Sequence, residues 1–165
     1  KDFTNLINAF AIVANSSNYV RLVIIGDGEQ KELLQSLVED LSLDCKVEFL
    51  GFQFNPYKFM RTSDLFVMSS KWEGPGHVLI EALGTGCPVI TTNCPIGPAD
   101  SVQNGEFGEL VEMGNTKALS EAILYAYKNQ SDMLLKVKKS ENYMKKFYTE
   151  NVVNEYKKLL TNQHR

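Results

Sequence analysis

The feature that most constrains the fold of this chain is a regular alternation of short apolar runs with amphipathic helical patterns. The apolar runs have the length of buried strands, and we predict strands at residues 21–25, 46–50, 65–69, 88–92 and 109–111. Apolar residues spaced three and four apart predict helices at residues 2–14, 29–41, 56–62, 78–83, 116–129 and 132–162, the last broken near 147–150. Strands that alternate with helices form a parallel sheet. The predicted fold class is therefore α/β, a Rossmann-like doubly wound parallel sheet with helices on both faces.

The loops that follow the predicted strands are the candidate binding elements. In doubly wound sheets the ligand lies outside the carboxyl ends of the strands. We therefore expect one cleft, lined by residues 26–28, 51–53, 69–76 and 93–100.

Residues 69–90 have the pattern of a strand, a glycine loop, a short helix and a second strand. A helix that begins near Gly76 has free backbone N–H groups and a positive dipole end, both of which suit a phosphate. Glu81 lies about 7 Å further along that helix, where it can reach a ribose diol, and Glu73 precedes the loop. A phosphate between two hydroxylated groups is the outline of a nucleotide sugar. The alternative is that both glutamates are solvated and only stabilise the helix.

The stretch that contains Glu73 and Glu81, EGPGHVLIEALGTGCPVI, resembles the signature of the retaining group 1 or family 4 glycosyltransferases of GT-B fold. The segments RLVIIGDG (21–28), VEFLG (47–51), SDLFVMSS (63–70) and GELV (108–111) follow the order and spacing of the C-terminal, donor-binding domain of that family. The resemblance covers nearly the whole chain.

This resemblance implies roles for individual residues. Glu81 is expected to bind the ribose hydroxyls of the donor, and Glu73 to contact the transferred sugar. Lys1 corresponds to a lysine that neutralises the diphosphate, so Glu73 and Lys1 are the catalytic candidates. The remaining donor-binding candidates are Gly74, Gly76, His77, Val78 and Leu79 at the helix start, and Gly26, Gly28, Phe52 and Gln53 at the nucleotide edge.

Two of these assignments have a structural alternative. His77 could donate to phosphate or lie half-buried at the helix start, and the Gly26 to Gly28 segment could be only a tight turn. We interpret Trp72, which precedes Glu73, as a core residue, with a wall of the cleft as the alternative.

Composition limits the other function classes. The chain has 165 residues and a net charge of −3 without a basic run, which gives no support for a nucleic-acid surface. The three cysteines have no C-x-x-C spacing, and there is no Asp-x-Asp motif or histidine cluster. We therefore expect no metal or cofactor, no disulfide framework, and a cytoplasmic setting.

The resemblance implies that residues 1–165 form a single nucleotide-sugar-binding domain, with the first strand and an N-terminal acceptor domain outside this sequence. The expected reaction is sugar transfer from a nucleoside-diphosphate sugar to an acceptor hydroxyl, in polysaccharide biosynthesis. The acceptor would be a carbohydrate or a lipid-linked molecule, and the full-length protein would act at the inner face of the membrane. The isolated domain would be inactive. The alternatives are a GT-B sugar-nucleotide epimerase, a dinucleotide oxidoreductase, which lacks its glycine motif here, and a non-catalytic scaffold.

Overall fold

The computed structural model describes residues 1–162 as an α/β domain with helices on both faces of parallel strands. The strands are β1 (Leu22–Ile25), β2 (Val47–Gly51), β3 (Phe66–Met68), β4 (Val89–Thr92) and β5 (Glu109–Val111). The helices are α1 (Phe3–Ser16), α2 (Lys31–Asp40), α3 (Tyr57–Thr62), α4 (His77–Gly84), α5 (Pro98–Ser101), α6 (Thr116–Lys128), α7 (Gln130–Met144) and α8 (Thr149–Asn162).

The predicted elements and their order are confirmed, with three differences. Helix α1 extends to Ser16, and the predicted loop over 93–100 ends in the short helix α5, where Pro98 occupies the first turn. The C-terminal helical segment begins earlier, at Gln130. Its break is a 3₁₀ turn at Lys145–Phe147, close to the predicted position.

The strands are parallel, but they form two hydrogen-bonded ladders instead of the one sheet that we predicted. One ladder pairs β1 with β2, and the other has the order β3-β4-β5. Within residues 1–162 no strand pairs with the inner edge of β1 or of β3. A cavity of about 1120 Å³ lies between these two strands and beneath helices α1 and α6.

Both faces of the sheet are covered, and helix α1 contributes to two of the three core clusters. Val89 packs with Leu79 of α4 and Val137 of α7, whereas the next residue, Ile90, packs with Leu6 of α1 and Leu119 of α6. Successive strand residues point to opposite faces, so this pattern places α4 and α7 on one side and α1 and α6 on the other. The third cluster joins α1 and α2 to the β1–β2 ladder.

The last helix, α8, carries an exposed apolar face. Its large apolar side chains are between 37% and 66% exposed, and they are Val152, Val153, Tyr156, Leu159 and Leu160. Over residues 1–162 we find no helix with the length and hydropathy that a bilayer-crossing helix requires.

The N-cap of α6 provides a test of local stability. The Asn115 side chain accepts a hydrogen bond from the Ala118 N–H at 2.9 Å, which satisfies one of the free donors at the helix start. We expect Asn115→Ala to lower the free energy of unfolding by about 1 kcal/mol, measured by chemical denaturation. Gln30, the N-cap of α2, makes no such bond, so Gln30→Ala is the matched control. Equal losses in both variants would contradict this account.

Candidate active site

The loop between β3 and α4 places the start of a helix at the carboxyl edge of the strands. Gly76 is the N-cap of α4 and has a φ of 70°, a left-handed conformation that favours glycine. The N–H groups of His77 and Val78 have no partner within the helix, because the first turn of a helix leaves its donors free. The Leu79 N–H donates to the Gly76 carbonyl at 2.8 Å. Two backbone donors and the positive dipole end therefore remain for an anion.

Glu73 is held by two donors on one of its oxygens. Its Oε1 accepts hydrogen bonds from the Lys1 ammonium and, at 2.6 Å, from the Ser70 hydroxyl. Within residues 1–162, Oε2 has no hydrogen-bond partner. Burial by itself would raise the pKa of Glu73, but the hydrogen bonds from Lys1 and Ser70 outweigh it and bring the pKa below its usual value. The site thus contains an ionised, oriented carboxylate with one free oxygen.

Residues at the end of β3 hold the start of α1 in place. The Ser69 hydroxyl donates to the Lys1 carbonyl at 3.0 Å and to the Asp2 carbonyl at 3.1 Å. The Lys71 ammonium also lies 3.1 Å from Asp2 Oδ2. These contacts fix the backbone of Lys1 beside Glu73 and leave its side chain partly exposed to the cleft.

The loop after β4 supports the glycine loop from behind. Gly97 has a φ of 89°, and a Cβ atom at this position would lie 2.0 Å from the Gly74 carbonyl oxygen. The Ser101 hydroxyl donates to the Pro75 carbonyl at 2.7 Å. Only a residue without a side chain permits this approach, so Gly97 determines where the segment next to Glu73 can lie.

The cavity between the two ladders brings several predicted residues together. Lys1, Gly26, Gly28, Val78 and Glu81 are among the residues that line it, together with apolar residues of α1, β1 and β3. The half-buried carboxylate of Glu81 accepts no hydrogen bond within residues 1–162 and is therefore available to a ligand. The carboxyl ends of strands from both ladders thus lie at one cleft, as parallel topology requires.

Other predicted residues lie at the rim or in the core. His77 is exposed, so the alternative that it lies half-buried at the helix start is wrong. Gly74 is exposed in the loop. Leu79 is fully buried and contributes packing rather than a free donor. Phe52 is 67% exposed, and the Gln53 side chain donates to the Leu50 carbonyl at 2.9 Å.

The interpretation of Trp72 as a core residue is wrong. Its side chain is 77% exposed beside Glu73. Because the Ser69–Ser70 segment turns out of β3 at this point, the residues that follow lie on the surface.

All three cysteines lie in the described residues. Cys45, Cys87 and Cys94 are all free. Burial raises the pKa of the Cys87 thiol to about 11, so it remains protonated and unreactive at neutral pH.

The sequence predicts that the loops containing Ser70 and Asp27 line the cleft, but it assigns no role to either residue. Ser70 donates to Glu73, and Asp27 accepts the Phe52 N–H at 2.9 Å. Both lie at the carboxyl ends of predicted strands, which was the signal that could have identified them.

Comparison with known proteins agrees with this geometry. The family model described as glycosyl transferases group 1 matches residues 1–147. The chain belongs to this glycosyltransferase family.

Two curated relatives and one solved structure illustrate the similarity. An uncharacterized glycosyltransferase of Methanocaldococcus jannaschii is 45% identical over 58% of this chain and 23% of its own length. The Campylobacter jejuni N-acetylgalactosamine-N,N'-diacetylbacillosaminyl-diphospho-undecaprenol 4-alpha-N-acetylgalactosaminyltransferase is 37% identical over 74% of this chain and 33% of its own length. A Staphylococcus aureus TarM variant, in complex with fondaparinux, alpha-GlcNAc-glycerol and UDP, has a TM-score of 0.87 at 28% identity, over 96% of this chain and 32% of its own.

This chain aligns with only part of each of these proteins. The chain spans between about a quarter and a third of the length of these three proteins. Their alignment and the fold establish the glycosyltransferase domain, and the GT-B structures share its parallel strands and covering helices.

The close approach at Gly97 gives a prediction with a matched control. We expect Gly97→Ala to lower the free energy of unfolding by about 1–3 kcal/mol more than Gly86→Ala, because its Cβ would clash with backbone atoms. Gly86 has nearly the same φ, 86°, and no neighbouring atom within 4 Å, so Gly86→Ala controls for the cost of a positive φ. Chemical denaturation measures the difference. A difference near zero would mean that the two loops do not touch.

The Glu73 network gives a prediction about pH. Since the folded pKa of Glu73 is lowered, its ionised form contributes stability above the usual pKa and loses that contribution as the pH falls through the folded pKa. We expect Ser70→Ala to raise the pKa of Glu73, so that protonation begins at a higher pH. A carboxylate titration followed by ¹³C NMR measures this change.

Ser36→Ala is the control for this titration, because the Ser36 hydroxyl bonds to the Glu32 carbonyl within α2 and contacts neither Glu73 nor Lys1. Its titration midpoint should match that of the wild type. An unchanged pKa in Ser70→Ala would show that the Ser70 hydroxyl does not hold the carboxylate.

Proposed function

We propose that this chain is the donor-binding domain of a retaining, family 4 type glycosyltransferase. The full-length enzyme would transfer a sugar from a nucleoside-diphosphate sugar to an acceptor hydroxyl. The observation that carries the proposal is the free helix start at His77 and Val78, flanked by the carboxylates of Glu73 and Glu81 and by the Lys1 ammonium.

In the proposed complex, the diphosphate lies against the N-terminus of α4. The free N–H groups and the helix dipole stabilise its negative charge, and Lys1 adds a point charge. Lys1 is 57% exposed and already lies at the cleft, so it can turn from Glu73 to the phosphate without leaving the site. Glu81, further along the helix, accepts hydrogen bonds from the two ribose hydroxyls.

The bond that breaks joins the anomeric carbon to the phosphate oxygen, and the electron pair leaves with the nucleoside diphosphate. The acceptor oxygen forms the new bond to the anomeric carbon, and its proton passes to the departing phosphate oxygen. Stabilisation of the leaving diphosphate is the main electrostatic requirement, and the α4 N-terminus with Lys1 supplies it from this chain, without a metal or cofactor. The free Oε2 of Glu73 faces the sugar side, where a negative charge favours a positively charged sugar transition state.

The rest of the enzyme is part of the same proposal. An N-terminal domain would provide the acceptor site, and a further strand would precede Lys1, so the isolated domain would bind donor without turnover. The Campylobacter relative is named for a diphospho-undecaprenol-linked substrate, which supports a carbohydrate or lipid-linked acceptor and a location at the inner face of the membrane. The exposed apolar face of α8 would then pack against that N-terminal domain.

The test is nucleotide binding to the full-length protein, measured by calorimetry. UDP is the first ligand to use, because the TarM structure contains it, with GDP and ADP as comparisons. We expect Glu81→Gln to weaken binding roughly ten- to hundredfold, because loss of charged hydrogen bonds to the ribose costs about 1.5–3 kcal/mol.

Glu121→Gln is the matched control, since Glu121 is an exposed residue of α6 outside the cleft. Its affinity should equal that of the wild type. If no nucleoside diphosphate binds the full-length protein, the donor-site proposal is wrong. If transfer occurs and ¹H NMR of the product shows the inverted anomer, the retaining mechanism is wrong.

A further inference from the structure

Asp27 joins three segments at the nucleotide edge of the cleft. Its Oδ1 lies 2.8 Å from the ammonium of Lys31, the first residue of α2. Its Oδ2 accepts the N–H of Phe52, the first residue after β2, at 2.9 Å. Each carboxylate oxygen has its own partner, so the side chain is fixed in one orientation.

The backbone around Asp27 has an irregularity that makes these contacts possible. The β1–β2 register shifts between Ile24 and Ile25, so that Ile25 pairs with Gly51. The Gly26 N–H donates to the Gly51 carbonyl at 2.8 Å. Gly51 has a φ of 64°, and a Cβ atom there would lie 3.2 Å from Asp27 Oδ2. The absence of that Cβ brings the exit loop of β2 against the carboxylate.

The Asp27 contacts have little effect on stability and a defined effect on geometry. Asp27 and Lys31 are both partly exposed, and exposed ion pairs of this kind contribute little to folding. The hydrogen bond from Lys31, followed by that from the Phe52 N–H, brings the pKa of Asp27 below its usual value, so the carboxylate is ionised at neutral pH. What the two hydrogen bonds determine is the direction of the Phe52 backbone.

We infer that Asp27 is a positioning residue for donor recognition. Its carboxylate fixes the backbone of residues 51–53, the loop that the sequence resemblance assigns to the nucleotide edge, and thereby sets the preference for one base over another. The inference rests on the proposed function. Asp27 and Gly28 line the same cavity as Glu81, and the hydrogen bond from the Phe52 N–H to Asp27 joins the 51–53 loop to that lining.

The test compares base preference across variants of the full-length protein. Calorimetry gives the dissociation constants for UDP, GDP and ADP, and the readout is their ratio. We expect Asp27→Ala to reduce the preference for the tightest nucleotide about tenfold, because the loop is no longer fixed.

Two conservative variants separate positioning from charge. Asp27→Asn keeps an acceptor for the Phe52 N–H, and Lys31→Met removes the ion pair but leaves that hydrogen bond. Both should keep the wild-type preference, and thermal unfolding should show similar midpoints for all three variants.

The hydrogen bond between the Phe52 N–H and Asp27 can also be tested without nucleotide. In ¹H–¹⁵N NMR spectra of the free protein, the Phe52 amide should shift with pH as Asp27 titrates, and Asp27→Ala should abolish that shift. An unchanged base preference in Asp27→Ala, with UDP still bound, would overturn the role of Asp27 alone. Absence of nucleotide binding to the wild-type protein would overturn the proposed function and this inference together.

Discussion

The parallel pairing of β3 with β4 is the constraint on which the site depends. Phe66 pairs with Val89 and Met68 with Thr91, and the Thr92 hydroxyl extends the alignment by donating to the Ser70 carbonyl at 2.6 Å. Both faces of β4 are buried, so a shift of one residue would exchange its two core-facing sets. The register is therefore fixed, and the loops that leave β3 and β4 must meet at the same edge.

The contact between these two loops determines which groups lie side by side in the cleft. Gly97 contacts the Gly74–Pro75 backbone so closely that the loop before α4 has little freedom to move. Ser70, at the end of β3, orients Glu73, and Lys1 supplies the opposite charge. An ionised carboxylate and a free helix N-terminus thus lie side by side, although each alone is common in proteins.

Helix α1 connects the two halves of the cleft. The β1–β2 and β3–β4–β5 ladders share no hydrogen bond within residues 1–162, so packing sets their separation. Leu6 and Val13 of α1 pack in the cluster that contains Ile90, whereas Ile7 and Phe10 pack in the cluster that contains Ile24. The α1 helix therefore places the Gly26 to Gly28 segment opposite Glu81, and its first residues bring Lys1 to Glu73.

The sequence by itself determined the elements and their order, because hydrophobic periodicity depends only on neighbours along the chain. It also predicted the edge at which the candidate site lies, since alternating strands and helices impose parallel topology. Only the tertiary structure shows that Ser70 bonds to Glu73 and Asp27 to Phe52, that Trp72 is exposed, and that the strands form two ladders. The hydrogen bond from the Phe52 N–H to Asp27 joins residues that are far apart in sequence. Packing sets the distance between such residues, and no local sequence pattern contains that information.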